Sequence, residues 1–168
     1  MNQAQWPSEV IANAMNEAFA LAEEAAADGE IPIGAVVIDR DGRIIGRGRN
    51  RREAGDPLGH AEIYAIREAA EAIGDWRLEG TAMCVTLEPC AMCAGALVNA
   101  RVERLIFAAH DPKAGFCGSL GNLVQDARLN HRLEMETGLM EERSKELLQN
   151  FFRRLRERNR GTERWQSG

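Results

Sequence analysis

Two short stretches of the sequence hold residue types that can bind a metal ion and move protons. They are His60-Ala61-Glu62 and, further along the chain, Pro89-Cys90-Ala91-Met92-Cys93. Proline is favoured at the first position of a helix, so we expect a helix to begin at Pro89. Cys90 and Cys93 then share one face of its first turn, where the helix dipole favours the thiolates that a metal needs.

One histidine and two cysteines are typical ligands of an open zinc site. Structural zinc sites generally have four protein ligands, whereas catalytic sites have three and leave the fourth place to water. His60, Cys90 and Cys93 therefore predict a catalytic Zn²⁺ site, with Glu62 beside the water as general base and general acid. The alternative is a purely structural zinc site in which Glu62 is the fourth ligand.

The wider sequence resembles a known family. His-x-Glu followed by Pro-Cys-x-x-Cys is the signature of zinc-dependent nucleobase deaminases. Over nearly its whole length the chain is similar to the bacterial tRNA-specific adenosine deaminases, which belong to the cytidine deaminase superfamily. The metal-site motif alone would place it only in that superfamily, and further segments narrow the choice. These segments are Ile31-Pro32-Ile33-Gly34-Ala35-Val36, Asn50, Asp56-Pro57, Thr86-Leu87-Glu88, Asp111-Pro112-Lys113-Ala114-Gly115, Gly118-Ser119-Leu120, Asn130-His131-Arg132 and Phe151-Phe152-Arg153-Arg154.

The resemblance implies an activity, a partner and substrate-binding residues. The implied activity is hydrolytic deamination of the wobble adenosine of a tRNA anticodon stem-loop to inosine, carried out by a homodimer. Asn50 would contact the flipped base and Asp111 the ribose, while the arginines of a C-terminal helix would grip the anticodon stem. The full set of implied substrate contacts is Asn50, Asp111, Lys113, Phe152, Arg153 and Arg154.

Two other functions remain open at this point. A deaminase of free guanine, cytosine or nucleosides would share every metal-site residue. A zinc-stabilised RNA-binding module without catalysis would bind tRNA and release no ammonia.

Composition predicts one domain over residues 1–168 that works in the cytoplasm. The chain is 45% hydrophobic, which is enough apolar material for a core without disulfides. Of its four cysteines, two are assigned to the metal, and Cys84 lies in an apolar strand pattern typical of a buried thiol. No signal-peptide pattern and no apolar stretch of about 18 residues is present, so membrane association is not expected.

Charge is distributed unevenly along the chain. The net charge is −5, yet from Phe151 to the end six arginines face two glutamates, which gives +4. The remainder holds 15 basic and 24 acidic residues, which gives −9. A basic terminal helix on an acidic body favours a local anionic partner.

Hydrophobic periodicity and turn residues predict an α/β fold of three αβα layers with a five-stranded mixed sheet, and the family resemblance implies that this fold is cytidine-deaminase-like. Asp41-Gly42 indicates a hairpin, and the strand, helix and strand around Cys90 indicate a parallel pair. Helices are expected over 8–28, 60–73, 90–99 and from about 140, and strands over 33–39, 43–49, 81–87, 104–109 and 133–137.

Several details of these elements are also predicted. Ser8 should cap the first helix, and Gly29 and Gly74 should end the first two. Residues 115–121 should form a flexible pocket wall, and His131 should be a hydrogen-bonded structural residue. The packing face of the second helix is expected to comprise Ile63, Ile66, Ala69, Ala70 and Ile73, and that of the last helix Leu147, Leu148, Phe151, Phe152 and Leu155.

Overall fold

The computed structural model describes the backbone of residues 6–166 and the side chains of residues 6–161. Four helices and five strands follow one another along this part of the chain. No described helix is long and apolar enough to cross a membrane. The elements are α1 (Ser8–Ala27), β1 (Gly34–Ile38), β2 (Ile44–Arg49), α2 (Ala61–Ile73), β3 (Ala82–Leu87), α3 (Ala91–Asn99), β4 (Arg104–Ala109), β5 (Glu134–Thr137) and α4 (Glu141–Gln166).

The five strands form one mixed sheet in the order β2-β1-β3-β4-β5. β1 is antiparallel to both β2 and β3, while β4 is parallel to β3 and to β5. The predicted hairpin and the predicted parallel pair are therefore confirmed. In the parallel register Leu87 lies opposite Ala109, so the loops that follow β3 and β4 emerge side by side at one edge of the sheet.

Helices cover both faces of the sheet, which confirms the three-layer αβα architecture. Successive strand residues point to opposite faces, so Val36 and Ile38 join a core cluster with α1, while Ala35 and Val37 join another with α2 and α3. All five residues of β1 are buried, because this strand is covered on both sides. Such strands are apolar throughout rather than alternating.

α2 packs on the edge strand β2 through small residues rather than through the predicted isoleucines. A Cβ atom on Gly48 would lie 1.9 Å from the carbonyl oxygen of Ala61, so only glycine permits this approach. The buried apolar positions of α2 are Ala61, Ala65 and Ala69. The predicted face was wrong in part, since Ile73 is 45% exposed. Close backbone contact selected small residues over large apolar ones.

The ends of the helices differ from the prediction at two prolines. Pro7 occupies the cap position of α1, and no side-chain hydrogen bond caps the helix, so Ser8 is not the cap. Pro89 precedes the cap of α3, which is Cys90. The predicted stops are confirmed, because Gly29 and Gly74 adopt φ angles of +79° and +77° that favour glycine.

α4 lies on the sheet less deeply than its apolar pattern predicted. Ser144 is its buried residue within the described part, and its hydroxyl donates a 2.5 Å hydrogen bond to the carbonyl oxygen of Thr86. Of the five apolar residues predicted to pack, four are only half-buried, and the fifth, Phe152, is 38% exposed. The side chains of Glu163 and Arg164, which belong to the predicted basic segment, lie outside the described residues.

Replacement of Gly48 by alanine should strongly destabilise the protein. The added methyl group would displace α2 from β2, and overpacking of this kind costs about 1–3 kcal/mol. Gly161→Ala is the control, because a Cβ atom at this helical position meets nothing within 4 Å and should stabilise by about 1 kcal/mol or less. Urea unfolding of both variants measures the difference, and equal stabilities would contradict the close contact.

Candidate active site

His60, Cys90 and Cys93 converge at the ends of two helices. His60 is the cap residue of α2, Cys90 is the cap residue of α3, and Cys93 lies in the first turn of α3. The His60 Nδ1 atom is 3.5 Å from the Sγ atom of each cysteine. Among the described residues this is the group of three that could hold a metal ion. The structure thus brings together the three predicted ligands.

The contacts among these three residues favour a thiolate at Cys90. Interaction with the Cys93 thiol, followed by the hydrogen bond with His60, lowers the pKa of Cys90 to about 4. The same pair of sulfurs raises the pKa of Cys93, and the contact with Cys90 raises the pKa of His60. Negative charge is therefore already stabilised where a cation would bind, which suits a metal centre.

Glu62 lies beside this centre in a nearly dry environment. It occupies the first turn of α2 and is 4% exposed. Burial raises the pKa of its carboxyl group to about 7. A carboxyl group with a pKa near neutrality can both accept and release a proton under physiological conditions, as a general acid–base residue must. The structure places Glu62 where the sequence predicted a proton carrier.

A cavity of about 610 Å³ is lined by Glu62 and by two of the three predicted metal ligands, His60 and Cys90. Its volume lies within the range typical of small-ligand pockets. Asn50, Asp111, Lys113 and Phe152 line it together with His60 and Cys90. Asn50 is 3% exposed, and its backbone N–H donates a hydrogen bond to Ile33, which fixes the end of β2. Four of the six predicted substrate contacts therefore share one cavity.

The other two predicted contacts, Arg153 and Arg154, lie outside the cavity. Both are exposed on α4. Arg153 donates a 2.9 Å hydrogen bond to the side chain of Asn150. Arg154 lines a separate groove between α4 and the end of α1. Neither arginine therefore lines the cavity that holds the other four predicted contacts.

The remaining histidine and cysteine predictions agree with the structure. The His131 Nε2 atom lies 2.7 Å from the carbonyl oxygen of Val102, so this side chain is a structural contact. Cys84 is fully buried in β3, where desolvation raises its pKa to about 12. A thiol in this environment is unreactive.

Sequence reasoning missed the role of Glu88. This glutamate follows β3 directly, and it is 2% exposed. Its carboxylate accepts hydrogen bonds from the backbone N–H groups of Asp111, Cys117 and Ser119. The segment predicted as a flexible pocket wall, residues 115–121, is thus hydrogen-bonded to a buried carboxylate, and the cavity is lined by the preceding residues 110–114. A glutamate between an apolar strand and Pro89-Cys90 was the available signal.

Comparison with known proteins agrees with this site. The family described as MafB19-like deaminase matches residues 11–156. The tRNA-specific adenosine deaminase of Bacillus subtilis is 48% identical over 147 residues, which cover 87% of this chain and 91% of the relative. The tRNA-specific adenosine deaminase of Haemophilus influenzae is 43% identical over 158 residues, which cover 94% of this chain and 91% of the relative.

A solved structure from a study of A-to-I editing by tRNA:A34 deaminases at the wobble position of transfer RNA is also similar. It has a TM-score of 0.77 and 44% identity, covering 81% of this chain and 99% of the other. The three-layer fold and the His/Cys/Cys group beside a buried glutamate define a deaminase of the cytidine deaminase type. The chain belongs to the MafB19-like deaminase family and to its tRNA-specific adenosine deaminases.

Removal of one predicted ligand should release the metal. We expect purified protein to contain one metal ion per chain, and Cys93→Ala to weaken metal binding by more than the roughly 10–100-fold typical of outer-shell changes. Cys84→Ala is the matched control, since this thiol is buried away from the group. Elemental analysis after dialysis against a weak chelator measures the metal content. Full retention by the Cys93 variant would contradict the ligand assignment.

Proposed function

We propose that this protein hydrolytically deaminates the wobble adenosine of a tRNA anticodon to inosine and releases ammonia. The main observation behind this proposal is the arrangement of the candidate site. His60, Cys90 and Cys93 form a possible metal site, and the buried Glu62 lies with it at a cavity of about 610 Å³. Membership of the tRNA-specific adenosine deaminases supports the choice of substrate.

Zinc is the metal that fits the ligand set best. Bond lengths of about 2.0–2.1 Å to nitrogen and 2.3 Å to sulfur, at tetrahedral angles, separate the nitrogen and sulfur atoms by about 3.5 Å. This equals the 3.5 Å from His60 Nδ1 to each sulfur. When bound, zinc lowers the pKa of water so that a nucleophile is available at neutral pH. His60, Cys90 and Cys93 would hold it and leave one side open to the cavity.

Glu62 is the proton carrier of the proposed reaction. Its carboxylate takes a proton from the attacking water and delivers it to N1 of adenine as the new bond forms at C6. Glu62 then takes the remaining proton from the hydroxyl group on C6 and delivers it to the amino group, so the C6–N bond breaks, ammonia leaves and the C6 carbonyl group of inosine forms. Burial raises the pKa of the Glu62 carboxyl group to about 7, so its protonated and ionised forms are both accessible near neutral pH.

Asn50 and Asp111 are proposed to orient the nucleotide. Asn50 is almost completely buried at the cavity wall, and its amide can pair with the base edge. Asp111 lies across the cavity, where it can read the 2′-hydroxyl group that distinguishes RNA from DNA. Lys113 and Phe152 complete the wall, with a positive charge for phosphate and an aromatic ring for stacking.

The two rival functions are less well supported. A free-base deaminase would need no exposed arginines on α4, whereas this helix bears Arg153, Arg154, Arg156 and Arg158. A non-catalytic RNA-binding module would need no buried carboxyl group whose pKa is near neutrality beside its metal group, as Glu62 is here. The relatives named as tRNA-specific deaminases favour the RNA enzyme over both.

The assembly and location are also proposals. Homodimerisation, which the family resemblance implies, would cover apolar side chains that are exposed in the single chain, among them Trp76 at 53%. Sedimentation at several concentrations measures it. A tRNA substrate implies work in the cytoplasm.

The test of the function is inosine formation in an anticodon stem-loop RNA with adenosine at the wobble position. Free adenine, guanine, cytosine and adenosine are assayed beside it under one salt condition. We expect inosine only in the RNA. Glu62→Gln should retain metal and fold but lose turnover by several orders of magnitude, because glutamine cannot carry the proton. Turnover of a free base would refute the substrate, and an active Glu62→Gln variant would refute the proton carrier.

Replacement of both Arg153 and Arg154 by alanine should weaken RNA binding. Loss of each phosphate contact should lower the slope of affinity against salt by about 1 and the affinity at 0.1 M salt by about 5-fold. Arg43→Ala is the matched control, since this exposed arginine follows the hairpin turn at the opposite end of the sheet. Fluorescence anisotropy with labelled stem-loop measures both quantities. If the dependence of affinity on salt is unchanged in the double variant, these arginines do not contact phosphate and are merely exposed to solvent.

A further inference from the structure

A buried carboxylate, Glu88, lines the cavity two residues before the predicted ligand Cys90. Glu88 is 2% exposed and separates the end of β3 from Pro89 and the cap residue Cys90. Within the described part of the chain no lysine or arginine pairs with it, and the nearby basic side chain is His110, whose Nδ1 atom lies 3.4 Å from its carboxylate. A buried carboxylate is costly unless it is well hydrogen-bonded. Its environment must therefore supply donors.

All of the hydrogen-bond donors come from one loop, residues 110–119. The Asp111 N–H donates to one carboxylate oxygen at 2.8 Å. The N–H groups of Cys117 and Ser119 donate to the other oxygen at 3.1 and 2.9 Å. The Ser119 hydroxyl donates to the same oxygen as Asp111. Both ends of the loop are thus tied to a single side chain.

The loop is also shaped around Glu88. A Cβ atom on Gly115 would lie 2.2 Å from the carboxyl carbon of Glu88, so the backbone passes directly over the charge. Gly115 pairs with Cys90 in an isolated β-bridge, and the Phe116 N–H donates to the carbonyl oxygen of Pro89 at 2.9 Å. The loop is therefore docked on the same short segment that supplies a metal ligand.

The loop carries five residues of the cavity wall, 110–114, among them the predicted substrate contacts Asp111 and Lys113. Asp111 accepts hydrogen bonds from the N–H groups of Lys113 and Ala114 at 3.0 and 3.3 Å, which closes a tight turn. Among the described residues, the side-chain hydrogen bond that fastens this turn to the segment after β3 runs from the Asp111 N–H to Glu88. A displacement of that contact would move Asp111 and Lys113 together.

We propose that Glu88 is a positioning residue whose carboxylate fixes the 110–119 loop, and with it Asp111 and Lys113, relative to the His60, Cys90 and Cys93 group. Glu88 thereby keeps the side chains that would bind the nucleotide at a fixed distance from the predicted metal ligands and Glu62. It takes no part in proton transfer. Its effect on the loop is independent of the proposed function, whereas its effect on RNA binding rests on that function.

Glu88→Gln tests the loop directly. Glutamine has the same shape but replaces one acceptor oxygen by an NH₂ group, so in either orientation a backbone N–H of the loop faces a donor. Hydrogen exchange of the amides of residues 110–119 should accelerate on the order of tenfold, the equivalent of one lost hydrogen bond to a charged acceptor. Unchanged exchange would overturn the proposal, whatever the substrate proves to be.

Glu30→Gln is the matched control for this experiment. Glu30 is also a buried glutamate, and it accepts two backbone hydrogen bonds, each 3.1 Å, from Glu53 and Ala54 in a different loop. Its replacement should accelerate exchange at those two amides and leave residues 110–119 unchanged. Equal acceleration of the 110–119 loop in both variants would indicate general destabilisation and overturn the assignment to Glu88.

Steady-state kinetics with the stem-loop RNA test the functional consequence. Glu88→Gln should raise KM by about tenfold or more, lower kcat less, and leave the metal content unchanged. Loss of metal, or a fall in kcat at constant KM, would overturn the positioning role. If Glu88→Gln does not fold, Ser119→Ala removes one donor without creating a donor pair, and it should shift exchange and KM in the same direction by smaller amounts. If hydrogen exchange of residues 110–119 is unchanged in the Ser119→Ala variant, the proposal is overturned.

Discussion

The site depends on how closely α2 and α3 can approach the sheet. Three ligand atoms from two helix starts must lie within 4.8 Å of one another, and an error of 1 Å in either helix would open the group. α2 is fixed by the contact of Gly46 and Gly48 with the backbone of Ala61 and Ala65. α3 follows β3 after only three residues, so its start has little freedom. The metal group is therefore a consequence of backbone packing before any metal binds.

Two buried glutamates of the cavity show how environment assigns different tasks to one residue type. Glu62 has few donors around it, and burial raises its pKa to about 7, so it can exchange a proton. Burial also acts to raise the pKa of Glu88, but hydrogen bonds from Ser119, Asp111 and Cys117 outweigh it and leave the pKa below the usual value. Glu62 can therefore change its charge near neutral pH, whereas Glu88 stays ionised and binds the backbone N–H groups of the loop.

The parts that could be predicted from the sequence are those that depend on local pattern and ligand chemistry. His60, Cys90 and Cys93 were recognisable because few other functions require those residue types at that spacing. The hairpin at Asp41-Gly42 and the parallel β3 and β4 pair follow from turn chemistry and connection length, and both are confirmed.

The parts that could not be predicted depend on contacts between distant segments. Sequence periodicity predicted a face of α2 that includes three isoleucines and Ala69. Close packing against glycines of β2 buries Ala61 and Ala65 together with Ala69, and Ile73 stays exposed. Glu88 contacts residues 23 to 31 positions away, and no local pattern reports such contacts. A glycine-rich loop has the composition of a flexible segment, yet here the small residues permit close docking on a buried charge. Glycine content alone therefore cannot show whether a loop is free or hydrogen-bonded to the rest of the protein. That depends on a distant side chain, which in this protein is Glu88.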